Sequence, residues 1–93
     1  MKSNKYIKEQ LKCKYGKIDI FGYKPTRKYK LTVHHIKPKR DNGLTTMENC
    51  CLLRDDIHKL LNWYEQQDQA NGDYINEYIK KYRKIRTNVW HNL

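Results

Sequence analysis

Residues 31–58 read LTVHHIKPKRDNGLTTMENCCLLRDDIH and place two of the chain's four histidines side by side, at positions 34 and 35. On a β-strand successive side chains point to opposite faces, so at most one of this pair can join a core. The segment KLTVHHI (30–36) is β-prone, with Leu31 and Val33 on one face, and Pro38 stops it. Asn42-Gly43 marks a tight turn, and CCLL (50–53) is short and apolar enough to be a returning strand. Asp55 or Asp56 can cap a helix over 56–64 whose apolar positions Ile57, Leu60, Leu61 and Tyr64 follow i, i+3, i+4, i+7. The stretch therefore predicts a hairpin near 30–36 and 50–53 followed by a helix.

Outward from this centre the pattern is mostly helical. Residues 3–12 predict a short helix capped by Ser3 or Asn4, with Tyr6, Ile7 and Leu11 on one side. KIDIFGY (17–23) alternates like a strand, and YKPTRKYK (23–30) is a basic turn around Pro25. QQDQANG (66–72) predicts a polar linker. A last helix over about 73–87 turns Ile75, Tyr78, Ile79 and Tyr82 inward and Lys80, Lys81, Arg83, Lys84 and Arg86 mostly outward. No internal repeat is present.

Composition narrows the class. Ninety-three residues suit one small domain spanning 1–93, with its core at about 13–64. With 38% hydrophobic residues and a mean hydropathy of −1.09, that core must be thin and draw on eight Tyr and two Trp. The net charge of +10 is uneven: residues 1–40 hold thirteen Lys+Arg against two acids, and residues 41–93 hold seven against eight. A basic half with interleaved tyrosines suits a phosphate backbone, and a solvated, solubilising face is the plain alternative. MKSNKYIKEQLK lacks an apolar signal-peptide core and no run approaches the ~20 apolar residues of a membrane span, so a cytoplasmic protein with no membrane partner is expected. Three cysteines (Cys13, Cys50, Cys51) are an odd number, two of them adjacent, which argues for thiols rather than a disulfide scaffold.

The chemistry-bearing side chains lie within residues 34–62. Asn49 follows His35 by fourteen residues, His58 follows Asn49 by nine, and Asn62 follows His58 by four, one helical turn. At about 100° per residue the His58/Asn62 stripe lies away from the Ile57/Leu60/Leu61/Tyr64 face, where a histidine with an oxygen donor beside it can bind a ligand. Taken alone, His58 and Asn62 are better read as an ordinary surface histidine and a helix-surface amide.

Taken together, His34-His35-Ile36-Lys37-Pro38, Gly43, Asn49 and His58 resemble the HNH endonuclease motif in its order and usual spacing, over roughly residues 13–62. The resemblance implies an α+β fold with a ββα-metal core and flanking N- and C-terminal helices. It also implies a metal-dependent endonuclease that cuts or nicks DNA, with bacterial or phage origin suggested at family level only. Carried over residue by residue, His34 and His58 bind one divalent metal, with Asn62 a candidate third ligand. His35 is the general base, and Asn49 orients it by accepting its ring N–H. Oxygen chemistry favours Mg²⁺ or Mn²⁺, while two histidines also suit Zn²⁺ or Ni²⁺. Lys37, Lys39, Arg40 and Lys59 are the expected contacts to the DNA backbone, with low sequence specificity. A non-catalytic nucleic-acid-binding protein retaining the fold is the alternative.

One departure from the family is informative. Many HNH domains carry two Cys-x-x-Cys pairs around a structural zinc. Here the first reads CKYG, with Cys13 alone, and the second reads RDDI, with Arg54 and Ile57 at the cysteine positions. One matching cysteine cannot make a tetrahedral site, so no structural zinc is expected, and Cys50 and Cys51 are expected to be small buried residues.

Overall fold

The computed structural model describes residues 3–91, with side chains through Arg83. The order is α1 (Asn4–Tyr15), β1 (Leu31–His35), a 3₁₀ turn (Lys39–Asp41), β2 (Cys50–Arg54), α2 (Asp55–Gln67) and α3 (Gln69–His91). β1 and β2 pair antiparallel, Leu31 opposite Arg54 and His35 opposite Cys50. This is an α+β fold with a ββα centre, in which hairpin and helix stand where the 30–64 stretch predicts them.

Both faces of the hairpin are covered, and this sets the strand chemistry. On one face Ile7 and Leu11 of α1 bury against Leu31, Cys50 and Leu52, with Tyr15, Val33 and Met47 beside them. On the other, Cys51, Leu53 and Ile36 pack with Ile20 and Ile79, flanked by Ile57, Leu61, Ile75 and Tyr82 of α2 and α3. Cys50 to Leu53 are therefore all buried, as in a strand covered on both faces. Full burial of Leu53 or Ile79 contributes about 1.5–3 kcal/mol each.

Caps and turns depart from expectation in places. Ser3 caps α1, its hydroxyl accepting the Tyr6 N–H at 3.1 Å, while Tyr6 itself is exposed. The N-cap of α2 is Arg54, with no side-chain cap, so Asp55 and Asp56 fall inside the first turn, where carboxylates complement the helix dipole. Residues 17–23 form no strand. Asp19 is fully buried there and accepts the N–H groups of Phe21 (2.9 Å), Tyr23 (2.8 Å) and Arg54 (3.1 Å), curling the chain into a turn pinned to the end of β2. An alternating pattern with a carboxylate at an inward position can satisfy local N–H groups instead of a ladder.

The polar 66–72 segment is no linker. Asp68 alone breaks the helices, its carboxylate accepting the Ala70 N–H at 3.0 Å, and α3 starts at Gln69. Gly72 is buried against Glu65, where a Cβ would meet the Glu65 Cγ at 2.5 Å. Leu60, Tyr64 and Tyr78 are exposed, so Ile57 and Leu61 carry the inward face of α2. The buried stripe of α3 is Gly72, Asn76 and Ile79, extended by half-buried Arg83, rather than an all-apolar one. The side chains of Lys84 and Arg86 lie outside the described residues. No helix among the described residues is long and apolar enough to cross a membrane.

Candidate metal centre and general base

Strand alternation divides the histidine pair. Thr32 and His34 face α2 and α3, and His35 lies on the Leu31/Val33/Cys50 face. On the first side the His34 and His58 rings meet edge to face, 5.2 Å between centroids. β1 supplies one ring and the first turn of α2 the other, because α2 begins directly where β2 ends.

One nitrogen of each ring is already committed. His34 Nε2 lies 2.8 Å from Asn76 Oδ1, an acceptor, so Nε2 carries the proton and Nδ1 the lone pair. Thr32 donates its one hydroxyl hydrogen to the Leu53 carbonyl at 2.7 Å, so its oxygen must accept from His58 Nδ1–H at 2.7 Å. The lone pair of His58 is left on Nε2. Metal-binding imidazoles are typically held this way, the second nitrogen bonded to an oxygen that fixes ring and tautomer.

Electrostatics keep the rings neutral. Burial holds His58 at about 4, with His34 adding to the depression, Asp55 opposing it and His35 adding slightly. His34 is lowered by burial against an opposing bond to Asn76. A neutral imidazole is the ligand form, so the donor set suits a divalent cation. Among the described residues no group of three His, Cys, Asp or Glu converges, so a cation held by the two imidazoles would need amide, water or phosphate oxygens for its remaining positions. Asn62 is exposed on α2 one turn beyond His58.

On the other side, His35 Nε2 lies 3.0 Å from the Thr45 hydroxyl. Burial lowers its pKa, and the charge of Lys39 and the neighbouring His34 lower it further, which favours the neutral form that can accept a proton. The expected bond from His35 to Asn49 is corrected: the Asn49 carbonyl oxygen accepts the Lys37 N–H at 2.8 Å, and its amide donates to Lys37 O (3.1 Å) and Leu44 O (2.8 Å). Asn49 thus clamps the two limbs of the β1–β2 loop, and Thr45, inside that loop, positions His35. Gly43 is needed there because a Cβ would stand 1.7 Å from the Lys37 carbonyl oxygen.

The expected backbone contacts differ among themselves. Lys37 and Lys39 are exposed at the end of β1, whereas Arg40 is paired to Glu65 and Lys59 to Asp55 at 3.1 Å. Arg83, expected outward, turns in to the carbonyls of Met47, Glu48 and Cys50, tying α3 to the segment that carries Asn49. Cys13 is exposed on α1, and Cys50 and Cys51 are buried on opposite faces of β2. At Arg54 and Ile57, the positions compared above with a cysteine pair, Arg54 stacks over Tyr23 (5.0 Å) and Tyr29 (5.6 Å), and Ile57 joins the core.

Asn76, Thr32, Thr45 and Arg83 are absent from the sequence-based site. Asn76 and Arg83 do carry a signal: they share the 4-3-4 spacing of Gly72 and Ile79, and a polar side chain on such a core stripe needs a partner.

A strand–loop–strand–helix with paired histidines facing one another from strand and helix defines a ββα-metal class of nuclease fold. The HNH endonuclease family model matches residues 13–59, half of the chain, and the protein belongs to that family. No curated protein and no solved structure matches it.

Proposed function

We propose that this protein is a metal-dependent endonuclease that hydrolyses phosphodiester bonds in DNA, with His35 as general base and His34 and His58 holding one divalent cation. The observation that carries this reading is the matched commitment of the two facing rings, His34 Nε2 on Asn76 and His58 Nδ1 on Thr32, with a lone pair left over on each neutral imidazole. Asn62 is the nearest amide candidate on α2 for a further position. When bound, the cation supplies charge stabilisation on the phosphate oxygens of the transition state. Mg²⁺ or Mn²⁺ suits oxygen-rich completion of the site, and Zn²⁺ or Ni²⁺ suits its imidazoles.

The chain's own residues supply the rest. His35, neutral and turned by Thr45, takes the proton of the attacking water on its free nitrogen. The Asn49 clamp fixes the loop that presents Thr45, and Lys37 and Lys39 meet the flanking phosphates. Arg40 and Lys59 reach DNA only by sharing or leaving their carboxylate partners, so they contribute less.

The test is nicking of supercoiled plasmid with Mg²⁺ or Mn²⁺. His35→Ala should lose about 10²–10⁴-fold in rate and keep its cation affinity. Cleavage within a few-fold of wild type would remove His35 from the role. DNA binding by the wild type with no cleavage under any divalent cation would leave a nucleic-acid-binding protein that retains the fold.

A further inference from the structure

A cleft of about 550 Å³ lies between α1 and the turn that leads into β1. Five cations line it: Lys8 and Lys12, one turn apart on α1, and Lys17, Arg27 and Lys30 from the connecting chain. The rest of its wall is Pro25, Thr26 and Leu31, with no carboxylate. The first forty residues hold only two acids: Glu9 meets Lys12 at 3.5 Å, and Asp19 is buried on backbone N–H groups. Like charges gathered around one concavity repel, and a concave low-dielectric wall focuses their field on whatever enters. That arrangement disfavours the empty cleft and favours a polyanion.

We propose that this cleft is a second backbone-phosphate site for duplex DNA, separate from the histidine centre. The proposal rests on the reading of the protein as a DNA-cutting enzyme. No aromatic ring lines the cleft to stack a base, so its chemistry suits phosphates in series rather than a nucleotide. Its position suits the same duplex. Leu31, in its wall, begins β1, and His35 ends that strand on the same face. Four residues at about 3.3 Å each separate them by about 13 Å. That is the axial rise of about four base pairs at 3.4 Å per step. The cleft therefore anchors the duplex a few base pairs from the bond that is cut, adding affinity without base reading.

The test compares His35→Ala with the same chain carrying K8Q, K12Q, R27Q and K30Q, at fixed Mg²⁺ with a short duplex followed by fluorescence anisotropy. With each phosphate contact contributing about −0.9 to the slope of log K against log[salt], the cleft substitutions should flatten it by about 2–4. An unchanged slope overturns the site. A second readout needs no cleft variant: with DNA bound, Lys8, Lys12, Lys17 and Lys30 should lose reactivity toward an acetylating reagent. Protection of Lys37 and Lys39 alone would overturn the cleft while leaving the cleavage centre standing. Loss of binding to vesicles containing phosphatidylserine, with DNA binding unchanged, would overturn it in favour of a membrane surface. Failure of the nuclease reading is visible separately, in wild-type plasmid nicking.

Discussion

The Thr32 hydroxyl has one hydrogen and spends it on the Leu53 carbonyl, and from this the tautomer of His58 follows. Thr32→Val keeps the β-branched shape and removes both bonds, freeing His58 to rotate and to carry its proton on either nitrogen. Loss of such a partner typically costs 10–100-fold in metal affinity, so Thr32→Val and Asn76→Ala should each show a loss of about that size by calorimetric titration with Mn²⁺. Affinities equal to wild type in both would mean that the two rings do not hold the ion. The same rings set a pH dependence in the metal-free protein. His58 ordinarily titrates near 6.5 and is held at about 4 in the fold. Between these values the unfolded chain binds more protons, so the stability from His58 is fully present above about 6.5 and is lost as pH falls toward 4; His34 acts in the same direction. Thermal melting in chelator from pH 8 to 4 should therefore fall across that window and fall less in His58→Gln. Equal pH dependence of the two proteins would refute the depressed value.

At the scale of elements, the hairpin and α2 were legible because their signals are local. Pro38 ends one strand, Asn42 takes the left-handed conformation at the turn (φ 65°), and the apolar run at 50–53 is bounded on both sides. The 17–23 segment misled because alternation cannot register a buried carboxylate that takes three backbone N–H groups. Asp19→Ala removes the acceptor for all three, and charge-assisted bonds contribute about 1.5–3 kcal/mol each before relaxation. The substitution should lower stability by about 3 kcal/mol or more in urea melts, although Asp19 lies outside both the proposed base and the proposed metal pair. A loss below 1 kcal/mol would mean that water replaces the carboxylate and that the turn is held by Ile20 and Phe21. The site was half legible for a related reason. His34, His35, Asn49 and His58 sit in one local motif, but Asn76 reaches His34 across 42 residues from α3, beyond the segment the family model matches. Its partner depends on how α3 packs, and a pattern read along the chain does not carry that.

At the scale of the whole molecule, the cation proposed between the rings is not what holds the fold. The two apolar clusters contain neither His34 nor His58, Arg83 ties α3 to the loop carbonyls, Asp19 ties the connecting turn to the end of β2, and the ring bonds to Asn76 and Thr32 need no ion. A structural zinc behaves oppositely, since its binding energy is folding energy and chelation unfolds the domain. Among the described residues the three thiols do not meet: one is on the surface of α1 and two are on opposite faces of β2. EDTA should therefore stop plasmid nicking completely while the helical circular dichroism signal stays native. Melting temperature should fall only by the modest linkage set by the ratio of free ion to its dissociation constant. Adding back Mg²⁺ or Mn²⁺ should restore cleavage within the mixing time, with no slow refolding phase. Collapse of the helical signal on chelation would mean that α2, which has no fully buried side chain of its own, is held against β1 through the ion joining His34 to His58. In that case one metal would serve both folding and catalysis.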